Sequence, residues 1–133
     1  MVFILFSVSG IDFQAAQFVS QHGLKDASVW SKGQPLRSGR PHKDSGFSLN
    51  LPEVDSTREV IPVVESFFAE SQDWLAALDK HSVQRLLHLG VTVGEARSFA
   101  PSLEFGFDFL RLLVDRRVEL HITAYPTSDT ESD

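Results

Sequence analysis

Two guanidinium groups three residues apart, Arg37 and Arg40, stand in the segment SKGQPLRSGRPHKDSG (residues 31–46) together with Lys32, His42 and Lys43. A guanidinium presents a planar donor fork that fits a carboxylate or phosphate, so the set could grip a small anion or an acidic partner. Only Asp44 opposes these cations. The segment carries +3 and the rest of the chain −9, within a total of −6. The opposite sign gathers between Glu59 and Asp79, where Glu59, Glu65, Glu70, Asp73 and Asp79 occur with no Lys or Arg. A merely solvated helix mixes signs to gain i, i+4 pairs. A one-sign face suits docking to a basic protein, since opposed potentials speed encounter and reject wrong partners. Phe68, at the flank of this helix, is expected as an aromatic contact at the rim. The plainer reading of both charge groups is solvated surface.

The histidines offer less. His22 falls in the last turn of a helix, where a cation is favoured by exposed carbonyls. His88 and His121 alternate on strands, with Glu119 on the face of His121, but a metal site would need at least one further ligand. No HExxH, calcium loop, P-loop, G-x-G-x-x-G fingerprint or G-x-S-x-G elbow is present, and no residue set identifies a reaction. No catalytic residue, metal or cofactor is therefore assigned.

The elements that must position these residues follow from periodicity. Val2, Ile4, Phe6 and Val8 alternate with Phe3 and Leu5, a strand apolar on both faces and so expected mid-sheet, covered on both sides or largely so. Asp12 is the expected N-cap of a helix running to about His22, closed by Gly23. A short strand at residues 27–31 enters the basic loop, and Phe47, Leu49 and Leu51 alternate on leaving it. Pro52 breaks the chain before a helix striped by Val60, Val63, Val64, Phe67, Trp74, Leu75 and Leu78. Ser56 and Glu59 resemble a capping box, which Pro62 contradicts unless the helix starts late or kinks. A strand over Leu87 to Val93, a hairpin connection at residues 94–97 and a return strand over residues 99–105 follow. Pro101 would place that return strand at an edge. A helix at 107–116 and a strand from Val118 to Ala124 complete the pattern.

The chain has 133 residues, 42% hydrophobic and 23% charged, with eleven Phe and no Cys. That is enough for one domain with a real core, and it excludes disulfides and thiolate metal sites. The apolar start lacks a preceding basic region and is interrupted by Ser7, Ser9 and Asp12, so a strand is expected rather than a signal peptide. No run approaches the roughly 18–20 apolar residues of a membrane span. The negative charge argues against nucleic acid, where phosphate contacts need clustered cations.

The segments FSVSGIDF, VWSKG and GFSLNLP, and the late pattern SLEFGFDFLRLLVDRRVELHITAY, together resemble the bacterial family termed domain of unknown function 4279. The similarity runs from about Phe3 to Tyr125 and rests on hydrophobic pattern plus Gly10, Trp30, Gly33 and Tyr125, with Phe47 where members often place Trp. It implies a fold more than an activity, in the company of small bacterial orphan or immunity-like proteins.

The resulting expectation is one α+β domain over residues 1–125, a mostly antiparallel sheet with two to three helices in the order βαββαββαβ, and an acidic, frayed tail at 126–133. The expected function is non-catalytic binding of a basic protein, most concretely as a cytoplasmic immunity-type inhibitor of a bacterial toxin. Glu59, Glu65, Phe68, Glu70 and Asp73 would carry the docking, with Arg37 and Arg40 adding loop contacts. The alternative is a small-anion or small-molecule site, even a cryptic enzyme, built from Lys32, Arg37, Arg40, His42 and Lys43. A homo-oligomer joined near Pro101 is a third form; neither nucleic acid nor membrane is an expected partner.

Overall fold

The alternation of Val2, Ile4, Phe6 and Val8 builds β1 (Val2–Gly10), the central strand of a five-stranded sheet. The computed structural model describes residues 1–93 and 103–126. Its other strands are β2 (Ser28–Trp30), β3 (Ser45–Val54), β4 (Gln84–Val93) and β5 (Val118–Pro126), in the spatial order β2-β3-β1-β4-β5. The helices are α1 (Ala15–Gln21), α2 (Val60–Glu70), α3 (Gln72–Ala77) and α4 (Phe107–Asp115).

The α+β class matches expectation, with two differences of detail. The sheet is mixed: β1 pairs antiparallel with β3 and β4, and β2 with β3, but β4 and β5 run parallel. A helix lies between β4 and β5, and a strand–helix–strand passage returns the chain in the same direction. Residues 103–106 are not a strand; the rest of the expected return strand and the 94–97 connection, Pro101 included, lie outside the described residues. The second difference is four α-helices among the described residues rather than two or three, because residues 59–79 do not form one helix. α2 ends at Ser71, whose backbone (φ −109°, ψ 14°) leaves the helical range before α3 begins.

Pro62 is accommodated simply. A 3₁₀ turn over Thr57–Glu59 precedes α2, so Pro62 is its third residue, within the first turn where no intrahelical N–H bond is due. The Glu59 carboxylate reaches back to accept from the Asp55 N–H at 3.0 Å, while Ser56 makes no side-chain cap. Asp12 does not cap α1 either. It sits in a turn closed by the Phe13 N–H donating to the Gly10 carbonyl at 3.4 Å, and the helix begins at Ala15. That turn carries Phe13 into the core, against Phe18 and Phe47.

Among the described residues, the buried apolar side chains of the sheet lie on one face. Val2, Ile4, Phe6 and Val8 of β1, Phe47 and Leu51 of β3, and Leu87, Leu89 and Val91 of β4 are buried beneath the helices. Phe6 anchors an aromatic cluster, with ring centroids 5.2 Å from Phe67, 6.0 Å from Phe68 and 6.0 Å from Trp74. Each such side chain contributes roughly 1.5–3 kcal/mol by burial. Arg85 is the charged member of this face, 5% exposed. Its guanidinium donates to Asp79 Oδ1 at 2.7 Å and to the Arg116 carbonyl at 2.8 Å, tying the 3₁₀ turn after α3 to the C-terminal end of α4. The Arg85 guanidinium beside Asp79 holds that carboxyl below the usual aspartate range.

The other face is open among the described residues. Phe3, next to buried Val2 and Ile4, is 42% exposed. The expectation that both faces of β1 are covered is thus corrected: β1 is central, but the described helices pack on one side only.

Candidate functional site

β2 is three residues long and pairs with Gly46, Phe47 and Ser48, so among the described residues the outer side of β3 from Leu49 onward has no strand partner. Beside this free edge runs α2. Pro62, Val63, Ser66, Phe67 and Glu70 of the helix, Leu49 to Pro52 of β3, and Asp26 line a cavity of about 530 Å³. Phe67, half-buried and held between Phe6 and Trp74, supplies an aromatic wall. The two charged groups in the lining are carboxylates, Asp26 and Glu70. The open edge is short. Between Ile4 and Val2 the register slips by a residue, opposite Leu51 to Val54, and the bulge contains Pro52, which has no N–H to offer a further strand.

The expected acidic face is redistributed by this geometry. Glu65 and Glu70 are both exposed, but five residues place them about 140° apart around a helix of 3.6 residues per turn. Glu70 faces the groove and Glu65 the other flank. Asp73 is exposed in α3 beyond the Ser71 break, and Glu59 is engaged with the backbone before α2. Phe68 is 1% exposed, packed on Phe6 and Phe67, and cannot serve as a rim contact. Its neighbour Phe67 occupies the place expected for it.

The basic segment folds into a hairpin arm. The Gly33 and His42 N–H groups donate to the His42 and Gln34 carbonyls, and the Leu36 N–H to the Arg40 carbonyl at 2.7 Å. The Gly39 N–H closes the tip on the Leu36 carbonyl, leaving Arg37 and Arg40 at or beside the turn. The base is fixed by Trp30, whose Nε1–H donates to Asp44 Oδ1 at 3.1 Å and whose ring stacks on His42 with centroids 5.8 Å apart. His42 is therefore part of the support. Lys32, Arg37, Arg40 and Lys43 are exposed, and none of them lines the α2–β3 cavity. Lys32 instead borders a separate cavity of about 320 Å³ with Asp12, Gln14 and Ser45.

His88 and His121 are register partners on β4 and β5. They turn to different neighbours: His88 Nε2 lies 2.8 Å from Thr123 Oγ1, and His121 Nε2 lies 3.8 Å from Glu119 Oε1. Among the described residues, no three His, Asp or Glu side chains gather as a metal site.

Two glycines inside strands were not singled out by the sequence reading. A Cβ on Gly46 would stand 2.5 Å from the Trp30 ring, and one on Gly90 would stand 2.8 Å from Tyr125 Cε2. Each glycine lets an aromatic ring approach its backbone closely. A lone Gly within an apolar alternation is the available signal, since it marks close approach.

No protein-family model, curated protein or solved structure matches this chain.

Proposed function

We propose that this chain is a protein-binding domain whose α2–β3 groove receives an extended, basic segment of a partner. One coincidence carries the reading: the unpaired stretch of β3 lies beside an apolar groove flanked by Asp26 and Glu70. An extended peptide can add main-chain hydrogen bonds at such an edge while alternate side chains enter the groove. Leu49, Leu51, Val63 and Phe67 would meet its apolar residues and the two carboxylates its Lys or Arg. An immunity-type inhibitor of a bacterial toxin is the most concrete form of this proposal. In that form the groove, rather than a whole helix face, meets the toxin. Support for joint action of Glu65, Glu70 and Asp73 is weaker, since the three point in different directions. Kinship with the domain of unknown function 4279 family is likewise a proposal, resting on the segments quoted above.

The test is fluorescence anisotropy of a labelled peptide alternating Lys with Val, against a matched peptide alternating Glu with Val. The Lys peptide should bind and the Glu peptide should not. Asp26→Lys with Glu70→Lys should weaken binding about tenfold or more and flatten its salt dependence. Equal binding of both peptides, or an unchanged salt slope in the variant, would refute the groove as the docking site.

A further inference from the structure

We propose that the open face of the sheet carries a separate site for a small, neutral, flat heteroaromatic molecule, stacked against Tyr125 beside Phe3. Phe3, Leu5, Asn50, His88, Gly90 and Tyr125 line a cavity of about 330 Å³. That volume is at the low end of the roughly 300–1,000 Å³ found for small-ligand sites, so it fits a molecule rather than a chain.

The chemistry of the lining selects the ligand. Among the described residues no Asp, Glu, Lys or Arg contributes to it, in contrast to the groove with its two carboxylates. A charged ligand would lose hydration there without a countercharge, which disfavours ions. Tyr125 and Phe3 are 44% and 42% exposed and share one patch. Both border Gly90: a Cβ there would stand 2.8 Å from Tyr125 Cε2 and 3.7 Å from Phe3 Cβ. The missing side chain thus lets the Tyr125 ring approach the Gly90 backbone, leaving that ring beside Phe3 as a surface on which a planar ring can stack.

Polar groups on the patch can read the edge of such a ring. His88 is oriented by its Nε2 contact with Thr123 Oγ1, which leaves Nδ1 to donate or accept according to tautomer. Asn50 is exposed and brings both an amide donor and an acceptor. Leu5 completes the apolar side. Asn50 also borders the α2–β3 groove, so it is left unaltered in the test below.

The experiment is ligand-observed saturation-transfer NMR on the full chain, with adenine and indole as neutral probes and benzoate and benzylamine as charged ones. Adenine or indole should bind with Kd at or below about 1 mM, more tightly than either charged probe. Tyr125→Ala should weaken that binding about tenfold. Gly90→Ala should weaken it too, by displacing the Tyr125 ring without removing it, and so reads the same site if Tyr125→Ala folds poorly. Glu70→Lys should leave it unchanged. Two results would overturn the site: no transfer to either neutral probe, or binding unaltered in both Tyr125→Ala and Gly90→Ala.

Discussion

The two faces of the same sheet use similar residues to different ends. On one, Phe6 is wholly buried among Phe67, Phe68 and Trp74. On the other, Phe3 and Tyr125 stand over Gly90 with more than a third of their surface in water. Apolar residues on the covered face hold the fold together, because transfer of their surface out of water is complete. Those on the open face stay partly in water and should contribute less to folding. The difference also separates the charges. Arg85, on the covered face, is paired and structural, whereas Asp26 and Glu70 border an open groove.

Substitutions can break this division. The largest effect is expected from Phe68→Ala, which empties a fully buried ring site and should cost about 3–5 kcal/mol in urea denaturation. A loss below about 1 kcal/mol would return Phe68 to the rim. Next comes Arg85→Ala, which removes the donor to both Asp79 and the Arg116 carbonyl and should cost about 2–3 kcal/mol. The half-exposed Asp79 is left to water, which keeps the figure below that of a fully buried broken pair. The smallest effect belongs to Asp79→Asn, read as a pH profile of stability. Asp79 has a folded-state pKa below its unfolded value, so its contribution is present above the unfolded value and lost as pH falls through the folded one. The variant should therefore match the parent in acid and fall slightly below it near neutral pH. Identical profiles would show that the ion pair is not formed in solution.

Much of this was legible in the sequence. The β1 alternation identified a central strand, and the apolar stripe of residues 60–78 identified a helical layer. The covered face of β1 was not legible, since Phe3 and Leu5 are as apolar as Ile4 and Phe6. Within the helical stripe, Val60, Val64, Trp74, Leu75 and Leu78 are buried as expected, while Val63 and Phe67 are half-buried and Phe68 and Ser71 are buried instead. The hydroxyl of Ser71 hid the three-and-four spacing that links Phe68 to Leu75. In the candidate site, Glu70 was found from composition alone. The groove depends on the shortness of β2, which pairing decides and local sequence does not. Gly46 and Gly90 left a readable mark, and the rings lying over them followed only from strand register.

The central claim, that one face of the sheet is structural and the other is free to bind, is tested most directly by denaturing Phe6→Ala and Phe3→Ala side by side in urea. The expected result is a loss of about 3–5 kcal/mol for Phe6→Ala and less than about 1 kcal/mol for Phe3→Ala, with equal denaturant slopes. A comparable loss from Phe3→Ala would contradict the claim, since it would mean that the open face is packed in the folded protein.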